Sequence, residues 1–134
     1  YLADELTNNN FPTNTKHNSF YVITPEFDNT GQMVVRNNIK PMIKGRNVLV
    51  VLASAMSGRT ITKAIGTILA YGGKIAGLSV IFANVDEIEG YRVNGVFTHE
   101  DLPNFKLTDP NNCEDCKAGV KLDAVVNSYG YEEL

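Results

Sequence analysis

The feature that most constrains this chain is a strand–helix–strand pattern across residues 47–83. Residues 47–53 (NVLVVLA) form an apolar run without polar alternation. Such a run reads as a strand covered on both faces, as in a parallel sheet with helices on each side. The small, polar segment 54–59 (SAMSGR) follows. From Thr60 onward, Ile61, Ala64, Ile65, Ile68 and Leu69 recur at the spacing of one helix face. Gly72 and Gly73 stop that helix, and residues 74–83 (KIAGLSVIFA) supply a second buried strand. Two strands joined through a helix of this length run parallel, because the crossover returns the chain to its starting edge. The expected class is α/β, an open, mostly parallel sheet flanked by helices.

The remaining segments fit around that unit. Residues 1–6 (YLADEL) read as the end of an amphipathic helix, with Leu2 and Leu6 on one face and the asparagines at 8–10 stopping it. The expectation is that native sequence precedes Tyr1, so that residues 1–134 are one domain from the C-terminal portion of a longer chain. Residues 19–24 (SFYVIT) before Pro25 read as a buried strand. Residues 26–38 read as a mobile loop or loose hairpin with a short strand at 33–35, and 41–45 as a brief turn. A further strand is expected at 93–98, loop chemistry at 109–117, and a last edge strand within 120–127. Tyr129 and Tyr131 read as packing residues.

Composition narrows the function classes. With 43% hydrophobic and 20% charged residues among 134, the chain can bury a core and is not disordered throughout. A net charge of −3 argues against a nucleic-acid partner. The longest apolar runs reach about half the length that spans a bilayer, so no membrane partner is expected. Cys113 and Cys116 are the only cysteines, which excludes a disulfide scaffold and points to a soluble, cytoplasmic protein.

Ligands of open parallel sheets bind beyond the carboxyl ends of the strands. The turn after residue 53 lies at such an end and opens a helix, where free N–H groups suit an anion such as phosphate. Gly58 permits close backbone approach, Ser57 and Thr60 offer hydroxyls, and Arg59 offers a guanidinium. The turn matches neither the Walker A pattern nor GxGxxG.

Residues 47–70 (NVLVVLASAMSGRTITKAIGTILA) resemble the signature segment of type I phosphoribosyltransferases, in which a hydrophobic strand leads through two acidic residues and a Thr- and Gly-rich loop into a helix. Similarity to the orotate branch extends through residues 44–48 (KGRNV), the turn at 71–77 (YGGKIAG) and the tail at 113–120 (CEDCKAGV). The resemblance implies an orotate-type phosphoribosyltransferase of nucleotide biosynthesis or salvage. Its donor would be 5-phosphoribosyl 1-diphosphate with Mg²⁺, its acceptor a nitrogenous base, and its assembly a homodimer. Ala55, Met56, Ser57, Gly58, Arg59 and Thr60 would hold the 5-phosphate, and Ser54 would lie on the ribose side.

Two positions depart from the pattern. Leu52 and Ala53 stand where the family has its acidic pair, and Arg36 is the one cation in residues 26–38, where the orotate branch has a catalytic lysine. No catalytic residue is therefore assigned, and the diphosphate loop would lie ahead of Tyr1. The alternative expectation is a catalytically degenerate nucleotide-binding or regulatory module. Separately, the Cys113-x-x-Cys116 spacing supplies half of a tetrahedral zinc site, with His17 and His99 as the histidines that could complete it. His99 otherwise decorates the loop after residues 93–98.

Overall fold

The elements follow in chain order as α1 (Leu2–Asn8), β1 (Glu26–Phe27), β2 (Met33–Val34), α2 (Lys40–Ile43), β3 (Asn47–Ala55), α3 (Arg59–Ala70), β4 (Lys74–Ala83), β5 (Glu87–Ile88), β6 (Tyr91–Thr98), α4 (Glu114–Lys117), β7 (Ala124–Asn127) and β8 (Gly130–Glu133). Short 3₁₀ turns occur at His99–Asp101 and Pro110–Asn112. This computed structural model describes residues 1–8, 20–127 and 129–134. They divide into two units, Tyr1–Leu102 and Pro103–Leu134. Asn9, Asn10, His17 and Ser19 lie outside the described residues.

The first unit is a mixed α/β structure with an open four-stranded sheet in the order β3-β4-β6-β5. β3 pairs with β4 and β4 with β6 in parallel, while the short β5 is antiparallel to β6. The expected crossover is thus observed, with α3 carrying the chain from β3 to β4. Val50 lies opposite Leu78 and Leu52 opposite Val80, while Leu78 also faces Val93 across the next ladder. Ile61, Ala64, Ile65 and Ile68 of α3 are buried with Val50, Leu78, Val80 and Val93 in one core cluster that also takes in Ile43 and Ile88. Tight approach closes the end of α3: a Cβ on Gly73 would come within 2.7 Å of the Ile68 side chain and 2.9 Å of Ile43.

Several expectations need correction. β3 is not covered on both faces: Leu49 and Val51 are 40% and 57% exposed, and Ile81 and Val96 on the adjoining strands are 57% and 73% exposed. Its apolar character serves the core on one face only, and among the described residues β3 is an edge strand. Residues 20–25 adopt no regular structure, and Phe20, Tyr21 and Val22 are exposed, so strand propensity there finds no ladder to join. Of the two expectations for residues 26–38, a mobile loop or a loose hairpin, the hairpin is observed, with β1 pairing β2 over two residues each. β7 is no edge of the main sheet but pairs with β8 in a separate hairpin. Tyr129 and Tyr131 are exposed and not packed. The turn at 41–45 becomes the single helical turn α2, with Pro41 in its first turn, where a missing N–H costs nothing.

The two faces of the sheet differ in stability in a measurable way. Leu78→Ala, at a fully buried site, should cost about 2–5 kcal/mol. Val51→Ala on the open face should cost well under half of that. Urea unfolding of both variants checks this, and equal losses would show that the outer face is covered.

Candidate functional site

Parallel pairing brings three strand ends to one edge. Ala55, Ala83 and Thr98 lie in register at the carboxyl ends of β3, β4 and β6. The turn between β3 and α3 lies here. Ala55 is buried, Met56 is half-buried, and Ser57, Arg59 and Thr60 are exposed. Gly58 is the N-cap of α3 in a left-handed conformation, with φ of 74°, which glycine adopts without the strain that a Cβ brings. It also sits against Ile88 of β5: a Cβ there would lie 2.9 Å from Ile88 Cδ1.

Asn84, just past the end of β4, fixes the orientation of the turn. Its backbone N–H donates to the Ala55 carbonyl at 2.9 Å, and its side-chain amide donates to the Met56 carbonyl at 3.4 Å. The carbonyls of the turn are thereby held toward the protein. Among the described residues, the backbone N–H groups of Ser57, Gly58, Arg59 and Thr60 donate to no protein acceptor. α3 has no acidic residue in its first turn, so no carboxylate offsets its positive end. Open amides, an uncompensated helix terminus, two exposed hydroxyls and the Arg59 guanidinium make this turn suited to an anion. Sequence reading named the turn but missed Asn84 and Ile88, whose roles depend on strand register.

Side chains alternate along β3, so Ser54 shares a face with Val50 and Leu52 while Ala53 points to the opposite one. Ser54 is exposed and Leu52 is half-buried. Neither Leu52 nor Ala53 offers a side-chain oxygen. Magnesium takes oxygen ligands, and among the described residues no three His, Cys, Asp or Glu side chains converge to hold a metal ion. The residues present at the end of β3 do not fit a protein-held magnesium ion.

The β1–β2 hairpin stands beside α3. Asp28 organises its turn, accepting from the Thr30 amide at 2.8 Å, the Thr30 hydroxyl at 2.6 Å and the Gln32 amide at 2.9 Å. Arg36 closes the base of the hairpin with a two-pronged bond to Glu26 at 2.7–3.0 Å, which engages the cation of this segment in structure. The Lys63 ammonium of α3 donates to the Gly31 carbonyl at 2.8 Å, and Gln32 Nε2 donates to the Thr67 hydroxyl at 3.3 Å. Between hairpin and helix lies a shallow cleft of about 260 Å³, lined by Phe27, Gly31, Thr60 and Lys63. Through Thr60 it adjoins the anion-suited turn. Lys63 was not singled out by sequence, since it occupies the polar face of an ordinary amphipathic helix.

Hydrogen bonding sets the titration of this hairpin. The Thr30 hydroxyl, with the Gln32 amide next, holds the Asp28 carboxyl below its ordinary value. The Arg36 guanidinium does the same for Glu26, and Glu26 in turn raises Arg36.

The remaining candidates lie elsewhere. His99 opens the exposed 3₁₀ turn at the end of β6, which is closed by a reciprocal pair of bonds between Thr98 and Asp101. In the second unit Cys113 is half-buried and Cys116 exposed, both as free thiols. Cys113 is the N-cap of α4, and its Sγ accepts from the Cys116 N–H at 3.2 Å. Hydrogen bonding with the Cys113 thiol, and to a lesser degree burial, pushes the Cys116 thiol up.

No protein-family model matches this chain, and no curated protein matches it.

The lowered carboxylates carry a pH prediction. A group whose folded value lies below its unfolded one adds stability above the unfolded value and loses it as pH falls through the folded one. Protection of the Thr30 and Gln32 amides in hydrogen exchange should therefore fall on acidification below the ordinary carboxylate range. Asp28→Asn should flatten that dependence. A wild-type profile already flat through this range would contradict the account.

Proposed function

We propose that this chain is an orotate-type phosphoribosyltransferase domain that holds the 5-phosphate of 5-phosphoribosyl 1-diphosphate on the Ala55–Thr60 turn. The observation that carries this reading is the set of open amides from Ser57 to Thr60, at the sheet edge where α/β ligands bind. A phosphate seated there accepts from those amides, from the Ser57 and Thr60 hydroxyls and from Arg59. The ribose would extend past Ser54 along the carboxyl end of β3. In the reaction proposed, a base nitrogen displaces diphosphate from the ribose carbon. This chain would contribute positioning and charge stabilisation. A cytoplasmic homodimer acting in nucleotide biosynthesis or salvage belongs to the same reading.

One specific observation favours a second reading. Leu52 and Ala53 place no carboxylate where the ribose hydroxyls would lie, whereas phosphate binding by amides needs none. A phosphate-binding module without transfer chemistry would keep the turn and dispense with the acidic pair. Ground-state binding and alignment for displacement are separable functions.

Titration calorimetry with the phosphoribosyl donor and with a nucleoside 5′-monophosphate tests the common element. Binding is expected for wild type. Ser57→Asp, which sets a carboxylate among the amides, should weaken it by roughly two to three orders of magnitude, as like charges about 4 Å apart repel by about 4 kcal/mol near a protein surface. A steady-state assay with orotate and other bases then separates the readings. Turnover supports the transferase, binding without turnover supports the regulatory module, and absence of binding overturns both.

A further inference from the structure

The Pro103–Leu134 unit poses a stability problem that its own side chains do not solve. It is well short of the roughly 40 residues below which a fold usually needs disulfides, metal or association. Among its described residues none is buried, and only Cys113 and Ala124 are even half-buried. Val120, Leu122, Val125, Val126 and Tyr131 are all between 49% and 76% exposed. The backbone around the cysteines is nonetheless closely tied. Asp109 accepts from the Asn111 amide at 2.8 Å, Lys117 donates to the Asn112 side chain at 2.6 Å, and the Val120 amide donates to the Asp115 carbonyl at 2.9 Å. Gly119, with φ of 71°, turns the chain away after the second cysteine. A hydrogen-bonded turn of the unit is thus built around two thiols.

We propose that Cys113 and Cys116 form half of a four-thiolate zinc site, completed by the same pair from a second copy of this chain. Cys113 caps the start of α4 and Cys116 lies within its single turn, and the 3.2 Å bond from the Cys116 N–H to Cys113 Sγ folds the first sulfur back over the residue that carries the second. The Cys116 N–H directed at Cys113 Sγ is a donor that stabilises a sulfur carrying negative charge. Zinc takes four ligands in a tetrahedron and accepts thiolates in all four places. Among the described residues no His, Cys, Asp or Glu joins this pair to make a group of three, so the described part of one copy supplies two ligands. A second copy supplies two identical sulfurs and brings a second set of exposed apolar side chains against the first. Binding is a proton exchange: four thiols lose their protons to solvent as four zinc–sulfur bonds form, and neither zinc nor sulfur changes oxidation state. The site is independent of the phosphate turn, and its test does not rest on the function proposed above.

The experiment uses the whole chain, reduced and stripped of metal, then titrated with zinc alone. Metal analysis should plateau at one zinc per two chains, and light scattering after gel filtration should show the mass of the metal-free species doubling at that ratio. Cobalt in place of zinc should give the charge-transfer absorption and tetrahedral spectrum of a four-thiolate site. Cys113→Ser and Cys116→Ser should each abolish the zinc-driven association, with circular dichroism showing that the Tyr1–Leu102 unit stays folded. One zinc per monomer would place the missing ligands within the chain and overturn the shared site. Failure to retain zinc at micromolar concentration would overturn it too, as would a cobalt spectrum with fewer than four thiolates. If a serine variant unfolds, the wild-type stoichiometry and cobalt spectrum still decide the matter.

Discussion

Parallel pairing of β3 with β4 is the constraint on which the Tyr1–Leu102 unit depends. Parallel neighbours cannot be joined by a tight turn, so a helix has to carry the chain back. That helix needs an apolar stripe for the sheet, and Ile61, Ala64, Ile65 and Ile68 provide it. Leu78, at the centre of the sheet, receives packing from the helix and ladder contacts from both neighbouring strands. The same pairing places the carboxyl ends of β3, β4 and β6 at one edge. A core requirement and the location of the candidate site are therefore one geometric fact.

At that edge, backbone geometry does more than side-chain chemistry. Asn84 draws the Ala55 and Met56 carbonyls inward, Gly58 supplies the left-handed cap, and Ile88 fills the space a side chain at 58 would need. The amides of residues 57–60 are left without a protein acceptor among the described residues. The contrast with Leu52 and Ala53 is chemical: the turn presents donors suited to an anion, while these two side chains at the strand end carry no carboxylate.

Much of the fold was legible because it rests on periodicity. The α3 stripe, the glycines after it and the unbroken apolar run of β3 specify strand, helix and strand with little ambiguity. The turn at residues 55–60 was legible for the same reason, since its place follows from the elements around it. Burial on the outer face was not. Leu49 and Val51 are as apolar as Val50, and composition cannot distinguish a strand sandwiched between layers from one whose second face is open. Residues 20–24 failed similarly: Phe20, Tyr21 and Val22 have strand propensity, but a strand needs an available edge, which is a property of the whole fold. Lys63, Asn84 and Ile88 escaped notice because each acts on a residue distant in sequence, through a register that one chain read linearly does not display.

The edge position of β3 has a consequence for how the chain is made. Its ladder partner β4 lies beyond the whole of α3, so during synthesis β3 leaves the ribosome with neither hydrogen-bonded edge satisfied. It stays that way until the helix and the next strand have been translated. Afterward only the inner edge is occupied within the described fold. A nine-residue strand with no proline and no charge is a template for stray β pairing throughout that interval. The interval between translation of β3 and of β4 is therefore the period in which stray pairing competes with the native ladder.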